Sequence, residues 1–144
     1  MRKQFYVYNI PIANVASDGD RKATQRIDGE ADFQIEAMFG EFWNNADGVP
    51  IPREPYPGSL ADHNDLGFMH EIGLEFEVDS GKFMDGPVPA SLLLSTPTRP
   101  LVFADRPVIR AGKTLGVKVT NNIANVAVRG HIALHGYKLF ENQG

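Results

Sequence analysis

The sequence predicts an all-β chain: an antiparallel β-sandwich or jelly roll in a single domain spanning residues 1–144. Three segments with strict period-two alternation carry that expectation. Between Pro107 and Phe140, Leu115, Val117 and Val119 alternate with Gly116, Lys118 and Thr120. After Asn121-Asn122, Val126, Val128, Gly130, Ile132 and Leu134 share one face, and Ala127, Arg129, His131, Ala133 and His135 the other. In the second segment Ile27, Ala31, Phe33, Ile35, Ala37 and Phe39 alternate with the polar Asp28, Glu30, Asp32, Gln34 and Glu36. In the third, Ile72, Leu74, Phe76 and Val78 alternate with Gly73, Glu75, Glu77 and Asp79. Successive side chains of a strand point to opposite faces, so this alternation marks half-buried strands. An amphipathic helix would need apolar residues at i, i+3, i+4 and i+7, which none of the three supplies.

Taken in order, QFYVYNIPI reads as a first strand. Pro11 limits its place inside a sheet beyond Ile10, because proline offers no N–H to a ladder. Ser17-Asp18-Gly19-Asp20 reads as a turn, and one strand is expected from Gln25 to Phe39. Ile72–Val78 is the next strand, closed by the turn chemistry of Asp79-Ser80-Gly81. Leu92–Leu94 suits a short strand or an apolar connection, and Arg99–Ala104 a strand between prolines. Val108–Arg110 is short, and Ala111-Gly112-Lys113 turns the chain into Leu115–Thr120. Val126–Phe140 closes it, with a bulge or bend expected where Gly136 interrupts the pattern. Turn signals between short strands, with no helical spacers, favour a sandwich over a parallel α/β sheet. The expected core includes Phe33, Ile35, Leu74, Phe76, Val117, Val119, Val128 and Ile132.

Residues 40–70 stand apart. Pro50, Pro52, Pro55 and Pro57 fall close together there, and the only tryptophan, Trp43, opens the stretch beside Phe42. Proline at this spacing favours extended, unpaired backbone. A loop this long in a compact domain tends to be functional or disordered. Two readings are open: an extended arm lying on a neighbouring molecule, or a lid packed on the chain's own core. On the arm reading Phe42, Trp43, Arg53 and Tyr56 are the interface residues, since Tyr, Trp and Arg anchor interfaces.

Composition excludes several classes. The chain is 42% hydrophobic and 22% charged, as expected of a globular domain. Its longest aliphatic run, Leu92-Leu93-Leu94, is far short of the roughly 20 apolar residues of a spanning helix, so no membrane partner is expected. MRKQFYVYNI lacks the apolar stretch and cleavage site of a signal peptide, which points to synthesis in the cytoplasm. The absence of cysteine removes disulfides and thiolate metal sites. A net charge of −4 without a basic cluster argues against nucleic acid as a partner.

The search for chemistry finds no catalytic constellation and no cofactor motif. Asp62-His63-Asn64-Asp65, with His70-Glu71 beyond, has metal-ligand types, but Asp and Asn in that density build turns more often than metal sites. His131 and His135 share a strand face about 13 Å apart, too far to share one ion, and read as surface or subunit-contact residues. No Gly-x-Ser-x-Gly elbow occurs. Gly112-Lys113-Thr114 lacks the preceding glycine spacing of a phosphate loop. The acidic face of the second segment reads as solvated, without the two-carboxylate geometry of sugar hydrolysis.

Three stretches carry a resemblance. RIDGEADFQIEAMFG is similar to the early strand of a group of small structural proteins of tailed bacteriophages, which have an IDxDADF-like run; Gly29 stands where that group commonly has an acidic or polar residue. DGPVPASLLLSTPTRPLVFADRPVIRAGKTLGVKVTNN resembles their middle, a proline-punctuated segment before a hairpin. VRGHIALHGYKLFE resembles their closing strand. The resemblance covers most of the chain from Gln25 onward. It implies a non-enzymatic virion protein: a capsid cement or decoration protein, or a neck or vertex accessory. Its implied partners are the major capsid protein or neck proteins, and further copies of itself in a homo-oligomer. A second function class is a carbohydrate-binding β-sandwich, for which Tyr6, Tyr8, Trp43 and Tyr56 are the candidate rings.

Overall fold

A computed structural model describes residues 1–53, 68–79, 81–82, 84, 86–96, 101–103 and 105–141. It is a β-sandwich of two antiparallel sheets. Nine strands are formed by these residues: β1 (Arg2–Val15), β2 (Asp20–Arg26), β3 (Asp32–Asn44), β4 (Ile72–Val78), β5 (Gly81–Lys82), β6 (Val88–Pro89), β7 (Val108–Ile109), β8 (Thr114–Asn121) and β9 (Val128–Phe140). One sheet has the order β1-β9-β3-β7. The other runs β2-β8-β4-β5, with β6 also paired to β4. β1, β2 and β3 alternate between the sheets, as do β7, β8 and β9. The core lies between them, filled by Ile10, Phe33, Ile35, Leu74, Phe76, Val117, Val119, Val128, Ile132 and Leu134 among others, all buried. All eight residues expected inside from the alternation are there.

Several local expectations are corrected. The strand read from Gln25 to Phe39 is two strands in opposite sheets, with the chain crossing over at Ile27–Ala31. Ile27 and Ala31 remain buried at the crossing, so the alternation survives where the pairing does not. β1 continues past Pro11, which lies opposite His131. An edge strand needs ladder donors on one side only, so proline is tolerated there. The interruption expected at Gly136 falls instead on its neighbour. Between Ile35 and Ala37 the register of β3 against β9 shifts, and Glu36 is the extra residue. This bulge reverses the parity of β3: Met38 and Phe42 become the buried residues, and Phe39 turns to the outer face.

Gly136 serves close packing. A Cβ there would fall on the Gln34 carbonyl oxygen, and one at Gly130 on that of Glu41. The Leu92–Leu94 run is not a strand but the apolar part of the connection after β6. Ala90–Leu93 forms a single helical turn, α1, that seats Leu94 in the core. Residues 101–103 are not in a strand; Phe103 N–H donates to the Glu36 carbonyl at 3.2 Å. β8 and β9, on either side of Asn121-Asn122, lie in different sheets and form no hairpin.

The turns are where the sequence puts them. Gly19 N–H donates to Ala16 O at 2.9 Å, with Asp18 in the left-handed region at φ 57°. Gly112 has φ 78° and closes the turn into β8. Asn121 differs from expectation. It is fully buried, and its amide nitrogen lies 2.7 Å from Val126 O and 3.2 Å from Val15 O, while its Oδ1 accepts from Ile123 N–H at 3.0 Å. It brackets the end of β1 to the crossover that carries the chain from β8 to β9.

Two stability outcomes follow. Phe76→Ala should cost about 3–5 kcal/mol, since it empties a large volume between the sheets. Asn121→Ala orphans several buried backbone groups at about 1–3 kcal/mol each, so it should lower the denaturation midpoint well beyond Asn122→Ala, measured by urea titration.

Candidate interaction face

The two sheets present chemically different outer faces. On the β2-β8-β4 sheet the outward residues include Asp20, Lys22, Thr24, Lys118, Glu75 and Glu77. Lys22 pairs with Glu77, and Lys118 with Asp20 at 3.7 Å. Exposed pairs of this kind contribute little to stability and suit contact with water. The outer face of the β1-β9-β3-β7 sheet is aromatic. Register places Phe5 opposite Tyr137, Val7 opposite His135, and Pro11 opposite His131 on one side of β9. On its other side Phe39 faces Ala133, Glu41 faces His131, and Trp43 faces Arg129.

The rings touch. Phe39 lies 4.5 Å from His135 between centroids. His135 lies 5.9 Å from Phe5, and Phe5 6.0 Å from Tyr137. This line of rings crosses from β3 over β9 to the edge strand β1. A second contact joins Trp43 to His131 at 5.3 Å. Lys3 Nζ lies 6.0 Å from the Tyr137 ring centroid on the same face. Edge-to-face and tilted ring pairs are favourable and hold the side chains in place. Phe5 nevertheless stays 56% exposed and Val7 38%. A groove of about 490 Å³ borders this face, lined by Phe39, Glu41, Pro50, Ile51, Arg53 and His131 among others.

The interface residues expected from residues 40–70 are distributed differently. Phe42 is 1% exposed and belongs to the core, so it offers a partner no surface; the bulge at Glu36 is the reason. Trp43 is not on a loop but on β3, half-buried on the outer face. Arg53 donates through Nη1 to the Ser91 carbonyl at 2.7 Å and ties this stretch to α1. Tyr56 lies outside the described residues, as do Asp62, His63, Asn64 and Asp65. Residues 40–44 complete β3, and the chain then folds back on it. Asn44 N–H bonds Val49 O at 2.8 Å, Ile51 N–H bonds Phe42 O at 2.8 Å, and Ile51 is buried. Met69 N–H bonds Pro52 O at 2.9 Å, which joins the two ends of the proline-rich stretch. Its described parts are thus built into the sandwich.

Sequence reasoning missed Phe5, Phe39 and Tyr137 as surface residues. A signal existed: β1 is apolar on both parities, and the outer parity of β9 carries no carboxylate between Arg129 and Tyr137. Tyr6 and Tyr8, considered as ligand rings, point inward. Tyr8 O–H accepts from Asp28 N–H at 3.1 Å.

Beneath Tyr6 lies the one buried lysine among the described residues. Lys138 is on the inner parity of β9, 7% exposed, with its Nζ 3.9 Å from the Tyr6 ring centroid. It donates to Asp28 Oδ2 at 2.9 Å and Glu30 Oε1 at 2.8 Å. The two acids read as a solvated strand face are therefore the counterions of a buried cation. Burial by itself would lower the lysine pKa, but the bonds to Glu30 and Asp28 outweigh it and hold the pKa above its ordinary value. The bond from Lys138 lowers that of Asp28.

Comparison of the chain with protein-family models, with curated proteins and with solved structures returns no match. Among the described residues no helix is long and apolar enough to cross a membrane, and no three His, Asp or Glu side chains converge as a metal site would require.

The Lys138 cluster has a defined pH window. The lowered pKa of Asp28 contributes stability above its unfolded value near 3.9, lost as pH falls through the folded pKa. The raised pKa of Lys138 contributes stability below about 10.5, lost as pH rises through its own folded value. The difference in melting temperature between the wild type and Lys138→Met should be level from about pH 5 to 10 and shrink on the acid side. The pair Asp28→Asn with Glu30→Gln should melt below Lys138→Met, because it leaves the buried ammonium without its counterions.

Proposed function

We propose that this protein is a non-enzymatic assembly component that docks through the outer face of its β1-β9-β3-β7 sheet. Within that class we read it as a virion protein of tailed bacteriophages, most specifically a capsid cement or decoration protein that binds the major capsid protein and stabilises the shell. The observation that carries the docking reading is the contrast between the two outer faces. One is a mixed-charge surface of solvated pairs. The other is a connected set of rings with Phe5 and Val7 exposed. Contiguous exposed apolar surface marks interaction sites, and aromatic residues dominate the contacts that matter at them. The similarity of RIDGEADFQIEAMFG and VRGHIALHGYKLFE to phage structural proteins supports the choice of a virion, assembled in the host cytoplasm, over other assemblies.

A neck or vertex position uses the same face with a different neighbour, and copy number separates the two. Hundreds of copies per particle mean lattice decoration, and about a dozen a neck. The carbohydrate-binding reading gains from one feature: the rings sit on a rigid strand surface. It loses from another: they pack edge-to-face and tilted against one another, whereas a sugar stacks on a flat, open ring.

The test is co-sedimentation with purified particles that lack this protein. Wild type should bind, and Trp43→Ala with Phe39→Ala should lose at least tenfold in affinity, while Glu75→Ala on the opposite face should bind as wild type. Binding to a glycan array but to no particle would favour the carbohydrate module, and turnover of a polysaccharide or peptidoglycan would defeat the non-enzymatic reading.

A further inference from the structure

β1 is an unusual edge. It is 14 residues long, where strands are commonly about five or six. Among the described residues it pairs with β9 on one side only and ends the sheet order on the other. Native proteins blunt such edges with charge, proline or short length, because unpaired N–H and C=O groups template the addition of another strand. Here the blunting devices stand only at the two ends. Arg2 and Lys3 occupy the start. Pro11 interrupts the donors near the other end, and Arg21 Nη1 bonds the Asn14 carbonyl at 3.0 Å. Between them Gln4-Phe5-Tyr6-Val7-Tyr8-Asn9-Ile10 has no charge, no proline and no glycine. Among the described residues these seven make ladder bonds to β9 alone.

The window is symmetric about Val7. An antiparallel copy centred there puts Val7 against Val7, Tyr6 against Tyr8, Phe5 against Asn9 and Gln4 against Ile10. Lys3 then meets Pro11, where the donors run out, so the pairing stops where the blunting begins. The antiparallel arrangement also sends the two Arg2-Lys3 pairs to opposite ends, whereas a parallel one would set four positive charges side by side. Two-fold pairing of this kind is the commonest closed symmetry of soluble assemblies. It would cover Val7 and extend the aromatic face without a break from one protomer to the next.

We propose that a second copy of this chain pairs with the free edge of β1 about a two-fold axis at Val7, making one continuous eight-stranded sheet. This inference rests on the edge and not on the virion reading, so each can fail without the other.

The chain has no cysteine, which makes the test direct. Opposed residues of antiparallel strands lie about 4.5–5.5 Å apart, within disulfide reach. Val7→Cys should therefore form a disulfide-linked dimer under mild oxidation, and Thr24→Cys, on the outer face of the other sheet, should not. Light scattering should give wild type twice the chain mass of 15.9 kDa. Val7→Lys, which sets like charges on the axis, should halve that mass with the β-type circular dichroism unchanged. A monomeric wild type at high micromolar concentration would overturn the proposal. So would a dimer that Val7→Lys leaves intact and Val7→Cys does not crosslink, since its interface would lie elsewhere.

Discussion

The fold depends on β9 being paired along both edges. Thirteen residues from Val128 to Phe140 hold β1 on one side and β3 on the other. A strand in that position must satisfy two ladders and two faces at once. Its inner parity is therefore graded in size: Ile132 and Leu134 fill the middle of the core, while Gly130 and Gly136 let the backbone of β3 come close. Because β1 pairs with β9, Arg2 lies opposite Phe140, and the sheet cannot close until both of these distant segments are in place. Topologies with such distant pairings fold slowly compared with those built on local contacts.

Two devices adapt this frame. The bulge at Glu36 lets one strand serve two surfaces. Before it, odd-numbered residues face the core; after it, even-numbered ones do. The reversal sends Phe42 inward and delivers Phe39 and Trp43 to the outer face, beside His135 and His131. Bulges re-aim side chains in this way, leaving the extra residue unpaired. The second device is the cation of Lys138, which ends the core at the Tyr6 edge. A buried ammonium is tolerated only with hydrogen-bonded counterions, and the crossover between β2 and β3 supplies both of them within three residues.

The aromatic face depends on the first of these, since the register shift turns Phe39 and Trp43 outward. Its rings come from three strands and are held by one another. Rings with only two side-chain torsions lose little freedom on binding, and those already packed lose less. A strand surface is thus a more economical base for fixed rings than a loop, and Phe5, Phe39, Trp43 and Tyr137 all stand on strands. β1 borders the same surface, so the pairing proposed at its edge and the contact proposed at that face can act together.

Alternation in the sequence determined the class of fold, the inward residues of β4, β8 and β9, and the turns at Asp18-Gly19 and Gly112. Those features depend on side-chain direction within one strand and on the φ preferences of single residues, both local properties. The sequence by itself could not determine which strands pair. Ile27 to Phe39 keeps one parity across a break between two sheets, because a crossover can bury its residues as well as a strand does. Nor could it reveal the bulge, since a parity reversal is visible only against a partner's register. Tertiary structure alone decided that Asp28 and Glu30 face a buried lysine 110 and 108 residues away, and that Phe5, Phe39, Trp43 and Tyr137 form one surface. Each of those contacts joins positions that are distant in the chain, and only the pairing of β1 and β3 on either side of β9 brings them together.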